Sequence, residues 1–169
     1  MPLDVRLKPY EILAEAIRAE IEAAAFYARL LERVKNILLQ QKLKFLVFEE
    51  KKHRSLLERL YGQRFPERKL ELPDRPARSR PAVMLDEKSS ILDLFKIALA
   101  AEKTAEEFYR QARDAATDEG SQKILSYLAR VERSHYFLIK SEIDLLARFP
   151  DYYDVEDFHL GHELVHVGP

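Results

Sequence analysis

The sequence contains no cysteine among its 169 residues. A chain without thiols forms no disulfide, no thiolate zinc site, no iron–sulfur cluster and no rubredoxin-type iron site. Net charge is almost absent as well, at −1, because 28 basic residues offset 29 acidic ones. This balance creates no field that would attract nucleic acid or an anionic membrane. We therefore expect neither partner, and any electrons that the protein uses must come from outside the chain.

Long apolar runs are also missing. No stretch reaches the roughly 18 uncharged apolar residues of a membrane span, and residues 1–13 lack the apolar core of a signal peptide. The length fits one domain, since about 100 to 200 residues per domain is usual. We therefore expect a single-domain, soluble, cytoplasmic protein.

A set of acidic and histidine residues occurs twice in the chain. Each half contains one isolated Glu and one Glu-x-x-His motif, and every member of the second set lies 82 positions after its counterpart. The six residues are Glu20, Glu50, His53, Glu102, Glu132 and His135. Carboxylates and imidazoles suit iron or manganese, and residues three apart on a helix face the same way. Together, four carboxylates and two imidazoles form a ligand set for two metal ions.

Apolar residues recur at helical spacing around both sets and predict four helices, while no stretch resembles a strand. Asn36 is a predicted cap of the second helix and Gly62 falls just past its predicted end. Residues 118–121 predict a turn between the third and fourth helices. Glu20 lies 16 residues before Asn36 and His53 lies 17 after it, so the two should meet at one level of a hairpin. The second half repeats this relation around residue 118.

Residues 62–88 contain four prolines and the basic run 75–80, which predict a long extended connection. No aromatic residue interleaves that run, so we interpret it as solvated and not as a phosphate-binding strip. The predicted fold is all-α: an antiparallel four-helix bundle made of two duplicated helical hairpins joined by a long crossover. It occupies residues 1–150, and residues 151–169 form a C-terminal tail.

Burial of the six residues in such a bundle requires a positive partner. An ionised carboxylate in the interior costs several kcal/mol unless it is paired, and four close together repel one another. Two divalent cations would neutralise four carboxylates and leave both histidines as neutral donors. The sequence therefore predicts a two-metal centre.

The chain resembles a rubrerythrin-type member of the ferritin-like superfamily over residues 9–148. The resemblance is carried by both Glu-x-x-His motifs and by an isolated Glu that precedes Phe26-Tyr27 in the first half and Phe108-Tyr109 in the second. It implies a ferritin-like bundle with two irons, for which Mn or Zn are substitutes. By the same resemblance, the bridging ligands are Glu50 and Glu132, the terminal ligands are Glu20 and Glu102, and each iron also binds one histidine, His53 or His135.

The resemblance implies a di-iron oxidoreductase that reduces and detoxifies peroxide or O₂. Rubrerythrins end in a cysteine-ligated rubredoxin module that this chain lacks, so the electron donor would be an external, rubredoxin-type protein. Ala105 stands where that family typically has a further carboxylate, which favours a symmetrical ferritin-like or bacterioferritin-like site. The alternatives are an iron-handling protein that oxidises and binds Fe(II), and a scaffold that retains the motif without catalysis.

Other residues near the motifs have alternative interpretations. Tyr27 and Tyr109 lie seven residues, two helical turns, beyond their Glu partners, and are candidate catalytic residues that could hydrogen-bond the ligands or the oxidant. Simple core packing is the alternative for both. We expect Glu49, Glu106 and Glu107 to be solvated.

The C-terminal tail contains the H-E-x-x-H pattern of zinc peptidases at His162, Glu163 and His166. The downstream third ligand of such enzymes is missing, so we favour a surface tail, in which His159 could join an adventitious or regulatory metal site. The long crossover would also allow two chains to exchange hairpins. We therefore expect a homodimer, with domain swapping as one arrangement.

Overall fold

The structure, a computed structural model, describes residues 7–74 and 89–149. Within these ranges the chain forms four helices and no strand, which confirms the predicted all-α fold. The helices are α1 (Pro9–Arg33), α2 (Ile37–Arg64), α3 (Ile91–Ala115) and α4 (Glu119–Arg148). None of these four helices has an apolar stretch long enough to cross a membrane.

Side-chain caps begin the second helix of each hairpin directly after a short turn. Asn36 Oδ1 accepts hydrogen bonds from the backbone N–H groups of Leu38 and Leu39, at 3.0 and 3.1 Å. Asp118 Oδ1 accepts one from the N–H of Ser121 at 2.8 Å. Each cap satisfies backbone donors that the first turn of a helix leaves unpaired. The chain can therefore reverse direction within three residues in both hairpins.

Two predicted boundaries are wrong. Gly62 lies inside α2 and not beyond it, because it keeps helical geometry and no described glycine has a positive φ. The helix ends at Arg64, where the ring of Phe65 packs on Tyr61 with centroids 5.4 Å apart and a proline follows. In the predicted turn 118–121 only Asp118 lies outside α4, since its side chain caps the helix and draws the next residues into the first turn.

The core consists of two apolar clusters at different levels of the bundle. The lower cluster contains Leu13, Ile17, Leu57, Leu60, Tyr109, Leu125 and Leu128. The upper cluster contains Tyr27, Leu30, Leu39, Leu43, Leu46, Leu94, Phe95 and Ile139. Helices α1 and α4 run from the lower to the upper cluster, and α2 and α3 run the opposite way. Since α1 contacts α2 and α3, and α4 contacts the same two helices, every neighbouring pair is antiparallel.

The six predicted ligands lie between these clusters. Glu20 falls between Ile17 below and Tyr27 above in α1, and Glu132 falls between Leu128 and Ile139 in α4. The other two helices repeat the pattern in the opposite direction. A layer of acids and imidazoles is thus enclosed between two apolar layers.

Both described ends of the crossover lie against α1. The guanidinium of Arg18 donates to the carbonyl of Asp74 at 2.8 Å, and that of Arg33 donates to the carbonyl of Ser89 at 2.6 Å. Residues 75–88, which include the basic run, lie outside the described ranges, as does the predicted tail 151–169 with its H-E-x-x-H pattern.

Candidate metal centre

All six predicted ligands are buried in the layer between the two clusters. Their fractional exposure runs from 0% for Glu102 to 3% for Glu20. One helix of each hairpin contributes the isolated Glu, and the other contributes the Glu-x-x-His pair. The isolated Glu lies 16 residues before the turn of its hairpin and the histidine lies 17 residues after it. This nearly equal spacing brings the two to one level in each hairpin, as predicted.

The six side chains form two overlapping groups. In each group, one donor atom from every member lies within 4.8 Å of those of all the others. The first group is Glu20, Glu50, His53 and Glu132, and the second is Glu50, Glu102, Glu132 and His135. Glu50 and Glu132 belong to both groups. This sharing places them between two potential ion positions.

The Nδ1 atoms of both histidines face the carboxylates. His53 Nδ1 lies 3.0 Å from Glu132 Oε1, 3.3 Å from Glu50 Oε2 and 3.5 Å from Glu20 Oε2. His135 Nδ1 lies 3.5 Å from Glu50 Oε1 and 4.0 Å from Glu132 Oε2. Each imidazole therefore approaches the shared Glu of its own helix and that of the opposite hairpin. The two rings stack with centroids 5.5 Å apart.

The two candidate tyrosines cross between the hairpins. Tyr27 Oη donates a hydrogen bond to Glu102 Oε1, and Tyr109 Oη donates one to Glu20 Oε1. Both phenols are buried. Burial, together with the charge of Glu20, raises the pKa of Tyr109 well above its ordinary value, so the phenol remains a donor. Each tyrosine thus orients the isolated Glu of the other half.

Several potential metal-ligand atoms of the centre have no hydrogen-bond partner within the described residues. They are Glu20 Oε2, both oxygens of Glu50, Glu132 Oε1 and both ring nitrogens of His53 and His135. An unpaired buried polar atom costs about 1 to 3 kcal/mol, and more if it is charged. These oxygen and nitrogen atoms converge and lack hydrogen bonds, which fits the binding of divalent cations. The mixture of oxygen and nitrogen ligands suits iron, manganese or zinc.

The carboxylates do not titrate alike without metal. Burial and the charge of Glu50 raise the pKa of Glu20 to about 8. Burial and the neighbouring charges of Glu50, Glu20 and Glu102 raise the pKa of Glu132 well above its ordinary value. Glu50 is buried too, yet the adjacent imidazoles of His135 and His53 lower its pKa below the ordinary value. We infer that Glu50 stays ionised without metal, and that Glu20 and Glu132 retain protons.

Both imidazoles also hold protons in the absence of metal. Burial alone would lower the pKa of His135, but the carboxylates of Glu102 and Glu50 raise it to about 9. His53 responds in the same way to Glu132, Glu20 and Glu50, and its pKa is raised further. Cations that bind through Nδ1 would therefore displace protons.

Glu49 corrects one prediction, since it is not a solvated residue. Its fractional exposure is 9%, and its Oε1 accepts from Lys52 Nζ at 2.8 Å. It forms a third group with the two histidines, again with donor atoms within 4.8 Å of one another. The duplication gave no sign of it, because Val131 occupies the equivalent position. Its only signal was the one-turn spacing before His53.

The other two acids agree better with the prediction. Glu107 is exposed. Glu106 is partly exposed and pairs with Arg110 at 3.6 Å along α3. Neither belongs to the groups of potential ligands found in the described part of the chain. Ala105 offers no donor atom, so the further carboxylate typical of rubrerythrins has no equivalent there.

Comparison with known proteins agrees with this fold. The rubrerythrin family profile matches residues 11–143. A solved hypothetical protein from Pyrococcus furiosus is 34% identical, with 88% of this chain and 97% of that chain covered and a TM-score of 0.74. Wild-type KatB, a manganese catalase from Anabaena, is 19% identical with a TM-score of 0.66, over 90% of this chain and 81% of its own, and shows a shared fold. Comparison with curated proteins gives no match.

A four-helix bundle with this carboxylate and histidine layer defines a ferritin-like di-metal carboxylate protein. The chain belongs to the rubrerythrin family, whose profile spans most of its length. The resemblance inferred from the sequence is confirmed.

Proposed function

We propose that this protein is a di-iron oxidoreductase that reduces peroxide or O₂ with electrons from an external donor. The observation that carries the proposal is the pair of overlapping donor groups, buried and rich in unpaired atoms, with Glu50 and Glu132 in both. Glu20 and His53 would complete the ligands of one ion, and Glu102 with His135 those of the other. Manganese or zinc would fit the same donors.

When bound, two ferrous ions would supply the two electrons that peroxide reduction requires. The chain's own residues prepare the site for this chemistry. The upper and lower clusters exclude water above and below the acidic layer. Tyr27 and Tyr109 hold the isolated carboxylates in place through their hydrogen bonds and offer protons at the edge of the site. Their catalytic role is part of the proposal.

The proposals for the electron donor, the oligomeric state and the domain division rest on the sequence. The chain has no cysteine, so we propose that a rubredoxin-type protein or another external reductant restores the ferrous state. A homodimer in the cytoplasm, with hairpin exchange through the crossover as one arrangement, remains a prediction. So does the division into a bundle at 1–150 and a tail at 151–169. Light scattering on the full chain would test the dimer.

The experiment loads metal-free protein with Fe(II) under anaerobic conditions and counts iron per chain by mass spectrometry. Two irons per chain, followed by consumption of added peroxide in the presence of a reductant, are the expected result. Glu132→Gln should lose both metals because that residue belongs to both groups, whereas Glu107→Gln on the exposed face of α3 should retain them. Two-metal loading without oxidant consumption would contradict the proposed activity.

An iron-handling function is the second candidate. The observation that favours it is the symmetry of the two donor groups, with Ala105 in place of a further carboxylate. This function predicts many irons per chain after aerobic loading, or oxidation of Fe(II) by O₂ without sustained peroxide turnover. The iron count after aerobic loading and the peroxide assay together therefore separate the two candidates.

A further inference from the structure

The outer edges of the two imidazoles are buried without partners. His53 and His135 are each 1% exposed, and neither Nε2 atom makes a hydrogen bond within the described residues. The rings stack at an interplanar angle of 22°, and Phe45 packs its edge on His135 with centroids 6.2 Å apart. Both Nε2 atoms therefore lie in an environment that offers little water.

Metal binding through Nδ1, which rests on the proposed function, would determine where each imidazole carries its proton. A neutral imidazole that donates its Nδ1 lone pair to a metal has its remaining hydrogen on Nε2. A buried N–H group needs an acceptor, and metal-bound histidines usually have one in a carboxylate, a carbonyl or a water. Both histidines therefore need an acceptor outside the six-residue set.

Glu49 is the carboxylate placed to meet this need. One of its oxygens and a ring nitrogen of each histidine lie within 4.8 Å of one another. It precedes His53 by one helical turn, and at 9% exposure it lies between the buried rings and the half-exposed ammonium of Lys52. The bond from Lys52 engages Oε1 only, and a carboxylate has a second oxygen that can accept hydrogen bonds. The second hairpin has Val131 at the matching position and supplies no equivalent acceptor.

We propose that Glu49 is a shared positioning residue that accepts the Nε2–H groups of both His53 and His135, directly or through one water. Its carboxylate holds both rings in the tautomer that presents Nδ1 to the metals. One acid then serves both halves of a site that is otherwise duplicated. Groups that orient a metal-bound histidine in this way typically change metal affinity by about 10- to 100-fold.

The test compares Co(II) binding by the full-length wild-type protein with binding by Glu49→Leu and Glu49→Gln. Glu142→Gln is the matched control, because Glu142 is a buried acid on α4 that pairs with a lysine, Lys42, and belongs to neither donor group. Two readouts are needed: affinity from chelator competition, and the paramagnetically shifted, exchangeable imidazole N–H signals in the proton NMR spectrum. Circular dichroism checks that each variant folds.

We expect wild type and Glu142→Gln to bind two Co(II) ions and show two slowly exchanging N–H signals. Glu49→Leu should still bind two ions, with affinity lower by about 10- to 100-fold and fast exchange of both N–H signals. Glu49→Gln should be intermediate, since its amide oxygen can accept one bond.

Three results would overturn the inference. If Glu49→Leu has unchanged Co(II) affinity and unchanged N–H exchange, the positioning role of Glu49 is refuted. The proposed two-metal centre would not be affected by that result. If the wild type instead binds three Co(II) ions and Glu49→Leu binds two, Glu49 is a metal ligand and not a positioning residue. Failure of the wild type to bind two ions would refute the proposed function together with this inference.

Discussion

Glu20→Gln should stabilise the metal-free protein at neutral pH while it weakens metal binding. Burial and the charge of Glu50 displace the pKa of Glu20 from 4.5 to about 8. Between these values the unfolded chain releases the proton and the folded protein keeps it. Folding stability therefore falls as pH rises through this range. Gln carries no such proton and can still accept the hydrogen bond from Tyr109.

The size of the effect follows from the displaced pKa. At pH 7, which is 2.5 units above 4.5, retention of the proton costs the folded state about 3 kcal/mol at about 1.4 kcal/mol per pH unit. In a chain of this length, each kcal/mol changes Tm by about 2 to 4 °C. The quantity to compare is the Tm of Glu20→Gln minus the Tm of the wild type. We expect this difference to be larger at pH 7 than at pH 4.5 by about 6 to 12 °C.

The assay is thermal unfolding at both pH values, first with a chelator and then with Fe(II) under anaerobic conditions. Glu107→Gln, an exposed carboxylate on α3, controls for the general effect of losing an acid. Added metal should raise the Tm of the wild type more than that of Glu20→Gln, since the variant has lost a charged ligand. If the difference in Tm between the two proteins does not grow from pH 4.5 to pH 7, the folded protein does not hold the Glu20 proton in this range.

Three further predictions concern the two histidines, the two tyrosines and Gly62. Metal loading at pH 7 should release protons, because the pKa values of His53 and His135 lie above 7 without metal. Calorimetry in buffers of different ionisation enthalpy measures the number of protons released. A heat of metal binding that does not depend on the buffer would contradict this prediction. Tyr27→Phe and Tyr109→Phe should each destabilise the metal-loaded protein by about 1 to 3 kcal/mol in denaturant unfolding, since each removes a donor to a buried carboxylate, and unchanged midpoints would count against these hydrogen bonds. Gly62→Ala should stabilise the protein by about 0.4 to 1 kcal/mol, because Gly62 is helical and an added Cβ meets nothing within 4 Å; a lower urea midpoint would show this to be wrong.

The helices and the level of the site could be predicted because both depend on local spacing. Apolar residues at helical intervals identified the four helices, and the nearly equal separations of Glu20 and His53 from Asn36 fixed the register of the first hairpin. The cap at Asn36 was also predicted, since an Asn before a helix satisfies its first donors. Gly62 misled because glycine ends a helix only where the backbone turns left-handed, and here it does not.

Contacts between the hairpins were beyond local spacing. The sequence placed Tyr27 on the same face as Glu20, but the hydroxyl reaches Glu102 across the bundle, and this depends on how the two hairpins pack. Glu49 was missed for a related reason. Nothing in the duplication marks it, and its burial appears only when α2 and α4 bring both histidines beside it.

The most direct test of the central claim is a crystal structure of protein loaded anaerobically with Fe(II) or Mn(II), with the metals located by anomalous scattering. We expect two peaks in the layer between the upper and lower clusters, one beside His53 and one beside His135, with Glu50 and Glu132 contacting both. Peaks outside this layer, or a single peak within it, would show that the six residues do not hold two metal ions.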